Sequence, residues 1–124
     1  EGLVTIDRRE RKDAYYLYRA LWNERKPTLH IVDKRRSLRD RNRQAFSVYS
    51  SVGAPTLFVG ADTGAMTQYA ACQYRSDSVE IQGIVQVKAV AGEQCDSVTL
   101  RVGNVLKPKR QPVPRRTAGP QQTN

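Results

Sequence analysis

Five glutamates, one histidine, two cysteines and a dense arginine run are the side chains of this 124-residue sequence best suited to chemistry. Glu1, Glu10, Glu24, Glu80 and Glu93 fall at a terminus, a helix start, a loop, the polar face of a strand and a turn, and no motif joins two of them as acid and base. Cys72, Cys95 and His30 cannot supply the four ligands of a structural zinc site, so neither a metal nor a cofactor is implied. Cys95 shares the parity of Ser97, Thr99 and Arg101 and should face outward at the start of a strand. Two free thiols are the simpler reading, with a Cys72–Cys95 bridge as the alternative. His30 alternates out of the core side of its strand without a titratable neighbour in sequence, which points to a structural role.

Arg35, Arg36, Arg39, Arg41 and Arg43, interleaved with Asp33 and Asp40, read as a solvated loop between strands, with phosphate binding as a weaker alternative. Asp62-Thr63-Gly64-Ala65 resembles the active-site signature of aspartic proteases, where two such aspartates share one proton, so a single copy would require a homodimer. That family has apolar residues before the aspartate, and Gly60-Ala61 stands here instead; an Asp-Gly turn is the plainer reading. Tyr49, Phe58, Tyr69 and Tyr74 could stack on sugar rings, although packing between sheets or beneath loops is the plainer reading.

The elements that must position these groups change character at Pro27. Asp7 to Asn23 predicts a helix, with Ala14, Leu17, Tyr18 and Leu21 on one apolar face and Asp13, or Asp7 with Glu10, as its cap. Tyr15, Tyr16 and Trp22 lie on its other faces, more apolar circumference than one small sheet covers. After Pro27 the period becomes two: runs at 29–31, 46–49, 57–59, 79–81, 85–89 and 98–102, with a seventh in 67–75, are separated by turn signals such as Gly53-Ala54-Pro55, Gly60 to Gly64 and Gly92-Glu93. About seven short strands predict a mainly β, immunoglobulin-like antiparallel sandwich behind one helix. The segment from Val105, with four prolines and five basic residues, reads as a flexible basic tail.

A net charge of +9 invites a polyanion partner, but its distribution argues otherwise. Residues 1–43 hold 13 basic and 7 acidic side chains, residues 44–103 hold 3 and 5, and residues 104–124 hold 5 and 0. The predicted β body is mildly acidic, which speaks against nucleic acid as a partner. No apolar run approaches the roughly 20 residues of a membrane span, so no membrane partner is expected.

Gly2-Leu3-Val4-Thr5-Ile6-Asp7-Arg8, then Lys12-Asp13-Ala14-Tyr15-Tyr16-Leu17-Tyr18-Arg19-Ala20 and Leu21-Trp22-Asn23, resemble the end of the catalytic barrel in β-galactosidase-like members of glycoside hydrolase family two. Pro27-Thr28-Leu29-His30-Ile31, Arg35-Arg36, Val48-Tyr49-Ser50 and Leu57-Phe58-Val59 resemble the immunoglobulin-like domain that follows it. The likeness covers roughly residues 2–60; Ser51 stands where asparagine is usual, and Gly60 to Gly64 replaces an Asn-Gly hairpin with what reads as a longer turn. The resemblance implies three parts: 1–26, the end of the barrel; 27–104, the sandwich; and 105–124, the tail. Tyr15, Tyr16 and Trp22, with Arg35 and Arg36 pairing barrel carboxylates, would form the interface with the catalytic barrel. The family's two catalytic glutamates, about 5 Å apart at barrel strand ends, have no counterpart motif here, so no catalytic residue is assigned.

The resulting expectation is a non-catalytic accessory domain whose partner is the remainder of a parent enzyme that hydrolyses O-glycosidic bonds, with carbohydrate as a further partner. By resemblance the parent is periplasmic or secreted, although no signal peptide is read in these residues. The alternatives are an independent carbohydrate- or polyanion-binding sandwich and, more remotely, a dimeric protease through Asp62-Thr63-Gly64.

Overall fold

The computed structural model describes residues 11–34, 38–39 and 42–102, with the backbone alone at 38–39. Arg11–Trp22 forms helix α1. The strands are β1 (Leu29–Ile31), β2 (Leu38–Arg39), β3 (Arg43–Gln44), β4 (Ser47–Ser50), β5 (Thr56–Val59), β6 (Asp62–Ala65), β7 (Thr67–Ala70), β8 (Gln73–Arg75), β9 (Val79–Glu80), β10 (Ile84–Ala91) and β11 (Gln94–Val102). One sheet runs β1-β4-β8-β7, a second runs β2-β11-β10-β5-β6, and β3 pairs with β9.

Period-two patterning decides how the sheets face. Ile31, Val48 and Tyr74 of the first meet Leu57, Val59, Val87, Ala89, Leu100 and Val102 of the second, while Phe46, Met66 and Ile81 complete the core from positions flanking the strands. Fully burying a side chain such as Val87 or Leu100 stabilises the fold by about 1.5–3 kcal/mol. The anticipated mainly β, antiparallel sandwich with one preceding helix is therefore what the chain forms, apart from a parallel pairing of β2 with β11.

Several local expectations need correction. Gly60 to Gly64 is not a long turn: Val59 pairs with Asp62, so Gly60-Ala61 is a two-residue loop and Asp62–Ala65 is a strand. Gly60 has φ of 62°, and a hairpin with positive φ at its first central residue matches the twist of the flanking strands. Gly92-Glu93 closes the β10–β11 hairpin in the same way, with Gly92 at 60°. The 67–75 run is two strands joined at Ala71-Cys72, and Cys72 takes φ of 61° to make that turn. The arginine run is not all loop, because Leu38–Arg39 joins β11 and Arg43–Gln44 joins β9, with Arg43 3.5 Å from Glu80.

Asp13 is not the helix cap either. Arg11 and Lys12 are already helical and Asp13 is buried, while Asp7 and Glu10 lie outside the described residues, as do residues 105–124. The buried face is Ala14, Leu17 and Ala20, with Tyr18 and Leu21 only partly covered. The helix ends where Asn23 Oδ1 accepts from the backbone N–H groups of Arg25 and Lys26.

Gly60→Ala should cost about 1–2 kcal/mol in urea denaturation, since the new Cβ adopts a left-handed backbone and meets Val85 Cγ2 at 3.3 Å. Gly92→Ala, with nothing within 4 Å, should cost only the backbone part.

Candidate functional site

Strand β1 is buried on both faces, and this organises the helix side of the molecule. Ile31 points into the sandwich, whereas His30 and its cross-strand partner Tyr49 point the other way and are covered by α1. His30 is 3% exposed and Asp13 4%. Nε2 of His30 lies 2.6 Å from Oδ1 of Asp13, within hydrogen-bond distance. Asp13 also accepts from the backbone N–H of Asp33 at 3.0 and 3.2 Å.

Aromatic rings extend this contact. Tyr16 stacks on His30 with centroids 4.3 Å apart, and the Arg19 guanidinium lies 4.9 Å from the Tyr16 centroid. Arg19 also donates through Nε to Thr28 Oγ1 at 2.8 Å and through Nη2 to the Pro27 carbonyl at 3.3 Å. A layer of guanidinium, phenol and imidazole thus joins helix to sheet. On the sandwich side, Asp96 of β11 accepts from the backbone N–H of Ile31 at 2.8 Å and holds Lys34 Nζ 2.7 Å from both carboxylate oxygens.

The opposite helix face is displayed. Tyr15 is 56% and Trp22 65% exposed, and Tyr18 stacks on Trp22 at 5.2 Å with an interplanar angle of 16°. An open groove of about 580 Å³ runs among Tyr15, Tyr18, Trp22 and Arg25. Of the aromatics expected to face a barrel, Tyr15 and Trp22 are therefore outward and Tyr16 is turned onto His30. The helix docks through its small apolar face rather than through its displayed aromatics. Arg35 and Arg36 lie outside the described residues.

His30 does have a titratable partner, 17 residues earlier in the chain. The signal was present: Asp13, Leu17 and Ala20 fall on one helical face, and His30 is the residue of β1 that such a face must cover. Of the four aromatics considered for sugar stacking, Tyr49 and Tyr74 belong to the interior, Phe58 is half-buried and Tyr69 is exposed, so they make no shared platform. Asp62 begins an exposed edge strand, a setting that does not exclude water as a proton-sharing pair of aspartates requires. Cys72 and Cys95 are free thiols; Cys95 is exposed as its parity predicts, and burial pushes the Cys72 thiol pKa up from its ordinary value. Among the described residues no three candidate ligands could hold a metal, and no helix is long and apolar enough to cross a membrane.

No family model matches the chain. A β-glucuronidase of Bacteroides fragilis is 34% identical over 100 residues, covering 80% of this chain and 13% of that protein. The crystal structure of an FMN-binding β-glucuronidase from Facaelibacterium prausnitzii L2-6 superposes with a TM-score of 0.66 at 35% identity, over 82% of this chain and 15% of that one. A Bacteroides fragilis protein named as a β-galactosidase gives 0.68 at 28% identity, over 82% and 16%. The chain thus spans only 13–16% of the length of these relatives, as a homologue of one region of glycoside hydrolases and in keeping with the C-terminal region of such an enzyme.

Asp13→Ala should lower stability by about 1–3 kcal/mol in chemical denaturation, because it strands His30 Nε2 and the Asp33 N–H in a buried site. In thiol labelling at neutral pH, Cys95 should react well ahead of Cys72, whose raised pKa and partial burial both withhold thiolate.

Proposed function

We propose that this chain, homologous to one region of proteins named β-glucuronidase and β-galactosidase, is a non-catalytic accessory domain that packs against the catalytic barrel of a parent glycoside hydrolase of family two. The reading is carried by one observation: α1 is fastened to the sandwich on one side and presents Tyr15 and Trp22, more than half exposed, on the other. Large aromatics on a helix that is already docked are surface left for another body. In this reading residues 1–26 are the end of the barrel, 27–104 the sandwich and 105–124 a tail, and Arg35 and Arg36 add ion pairs at the junction as the family resemblance implies. The parent hydrolyses O-glycosidic bonds and is exported to the periplasm or beyond. The domain's contribution is to stabilise the barrel and to shape one rim of its carbohydrate cleft.

The parent polypeptide should hydrolyse aryl β-glycosides, while the 124-residue chain alone should not; hydrolysis by the chain alone would overturn the assignment. Trp22→Ala together with Tyr15→Ala should lower the parent's melting temperature by several degrees, corresponding to about 1–3 kcal/mol for lost aromatic burial. The same pair should leave the isolated chain's melting nearly unchanged. Equal effects in both would mean the aromatics serve the chain itself.

A further inference from the structure

The two main sheets of the sandwich have four edges, and three of them are blunted against a further strand. At β1 the Asp96 carboxylate takes the N–H of Ile31 at 2.8 Å. β7 carries a bulge, and Gln68 Nε2 donates to the Ala70 carbonyl. β2 is only two residues long. The fourth edge, β6, is regular, four residues long and exposed throughout. Val59 and Asp62 flank the loop that leads into it, and the alternation of an antiparallel ladder then turns the N–H and C=O groups of Thr63 and Ala65 toward the open side. Such an edge is a template for another chain.

What lies behind this edge is apolar. The registers set Val98, Val87, Val59 and Asp62 in one row across the core-facing side of the sheet, so a row of valines ends in a carboxylate at the last strand. The neighbouring row ends in Gly64, opposite Leu57, where an added Cβ would meet nothing within 4 Å. The absent side chain leaves a slot of about 230 Å³ floored by Leu57, Val59 and Val79. Asp62 and Asp77 both line it, and no basic residue does.

A strand added to β6 would roof this slot. Because Asp62 shares the core-facing side with Leu57 and Val59, it would be withdrawn from water among apolar side chains with no cation to pair it, which is a costly burial. When the added strand is β6 of a second copy, the two-fold axis sets a second slot and its two carboxylates beside the first, and like charges add to the cost.

We propose that Asp62, with Asp77, is the device that keeps the β6 edge from pairing with a second copy of this chain. The backbone template and the apolar slot are both in place, and the two carboxylates keep them open to water. The device belongs to the second sheet, whereas α1 packs on β1 and β4 of the first, so it stands independently of any docking by the helix.

Sedimentation equilibrium of the full chain, with amide exchange read at Thr63 and Ala65, tests it. In the native chain exchange at these two residues should not depend on protein concentration. Asp62→Val, which completes the valine row, combined with Asp77→Asn should lower the dimer dissociation constant about a hundredfold and make protection of Thr63 and Ala65 rise with concentration. Asp62→Asn with Asp77→Asn, which keeps the shape and removes the charge, should shift it the same way by about tenfold. Adding Thr63→Pro, which takes away an edge donor at a position where an edge strand tolerates proline, should restore native behaviour. Variants no more associated than the native chain would overturn the proposal. So would association that survives Thr63→Pro, or protection in the native chain that already rises with concentration.

Discussion

The buried contact between Asp13 and His30 is the constraint on which the helix side of the structure depends. A carboxylate and an imidazole withdrawn from water need each other's hydrogen-bonding capacity, and only one placement of α1 over β1 provides it. That placement carries Tyr16 onto His30 and brings Arg19 to Thr28 and Pro27. Leu17, Ala14 and Ala20 add apolar burial, but apolar contacts are non-directional and would tolerate a rotated helix. The polar pair fixes the rotation, and with it which aromatics are turned outward.

This arrangement makes the molecule three layers deep: helix, four-stranded sheet, five-stranded sheet. Where α1 covers it, at β1 and β4, the middle layer is buried on both faces, which is why Tyr49 and His30 are as inaccessible as Val48 and Ile31 despite opposite parity. The outer face of the third layer shows the alternative solution, with Cys95, Ser97, Thr99 and Arg101 exposed in strict alternation. Two rules of strand burial operate in one small domain, and the helix decides which applies where.

The same distinction explains what could be read from the sequence. Alternation in 84–91 and 94–102 predicts β10 and β11 well, because each has one wet face. The role of His30 is not legible within its own strand, because its partner lies 17 residues earlier on the helical face that covers it. Asp62-Thr63-Gly64-Ala65 reads as turn because aspartate and glycine interrupt strands on average; pairing with β5 through a two-residue loop overrides that preference. Periodicity predicts the helix, but its buried face is turned by about one residue from the Ala14, Leu17, Tyr18 and Leu21 stripe, because small Ala20 lets α1 sit close to the sheet while Tyr18 and Leu21 stay partly exposed. The outward aromatics were anticipated as a group, and Tyr16 departs from it because ring stacking on an imidazole offered a closer partner.

Asp96 ties the first strand of the sandwich to the last, accepting the Ile31 N–H across 65 residues of sequence. Closing a loop of that length costs roughly 3–4 kcal/mol of chain entropy beyond the constant term. On a ribosome, β1 therefore emerges long before the carboxylate that completes its hydrogen bonding, and must wait for nearly the whole domain to be made. Such non-local closure places the chain among slow-folding topologies, with β1 and its neighbour β4 exposed in the interval.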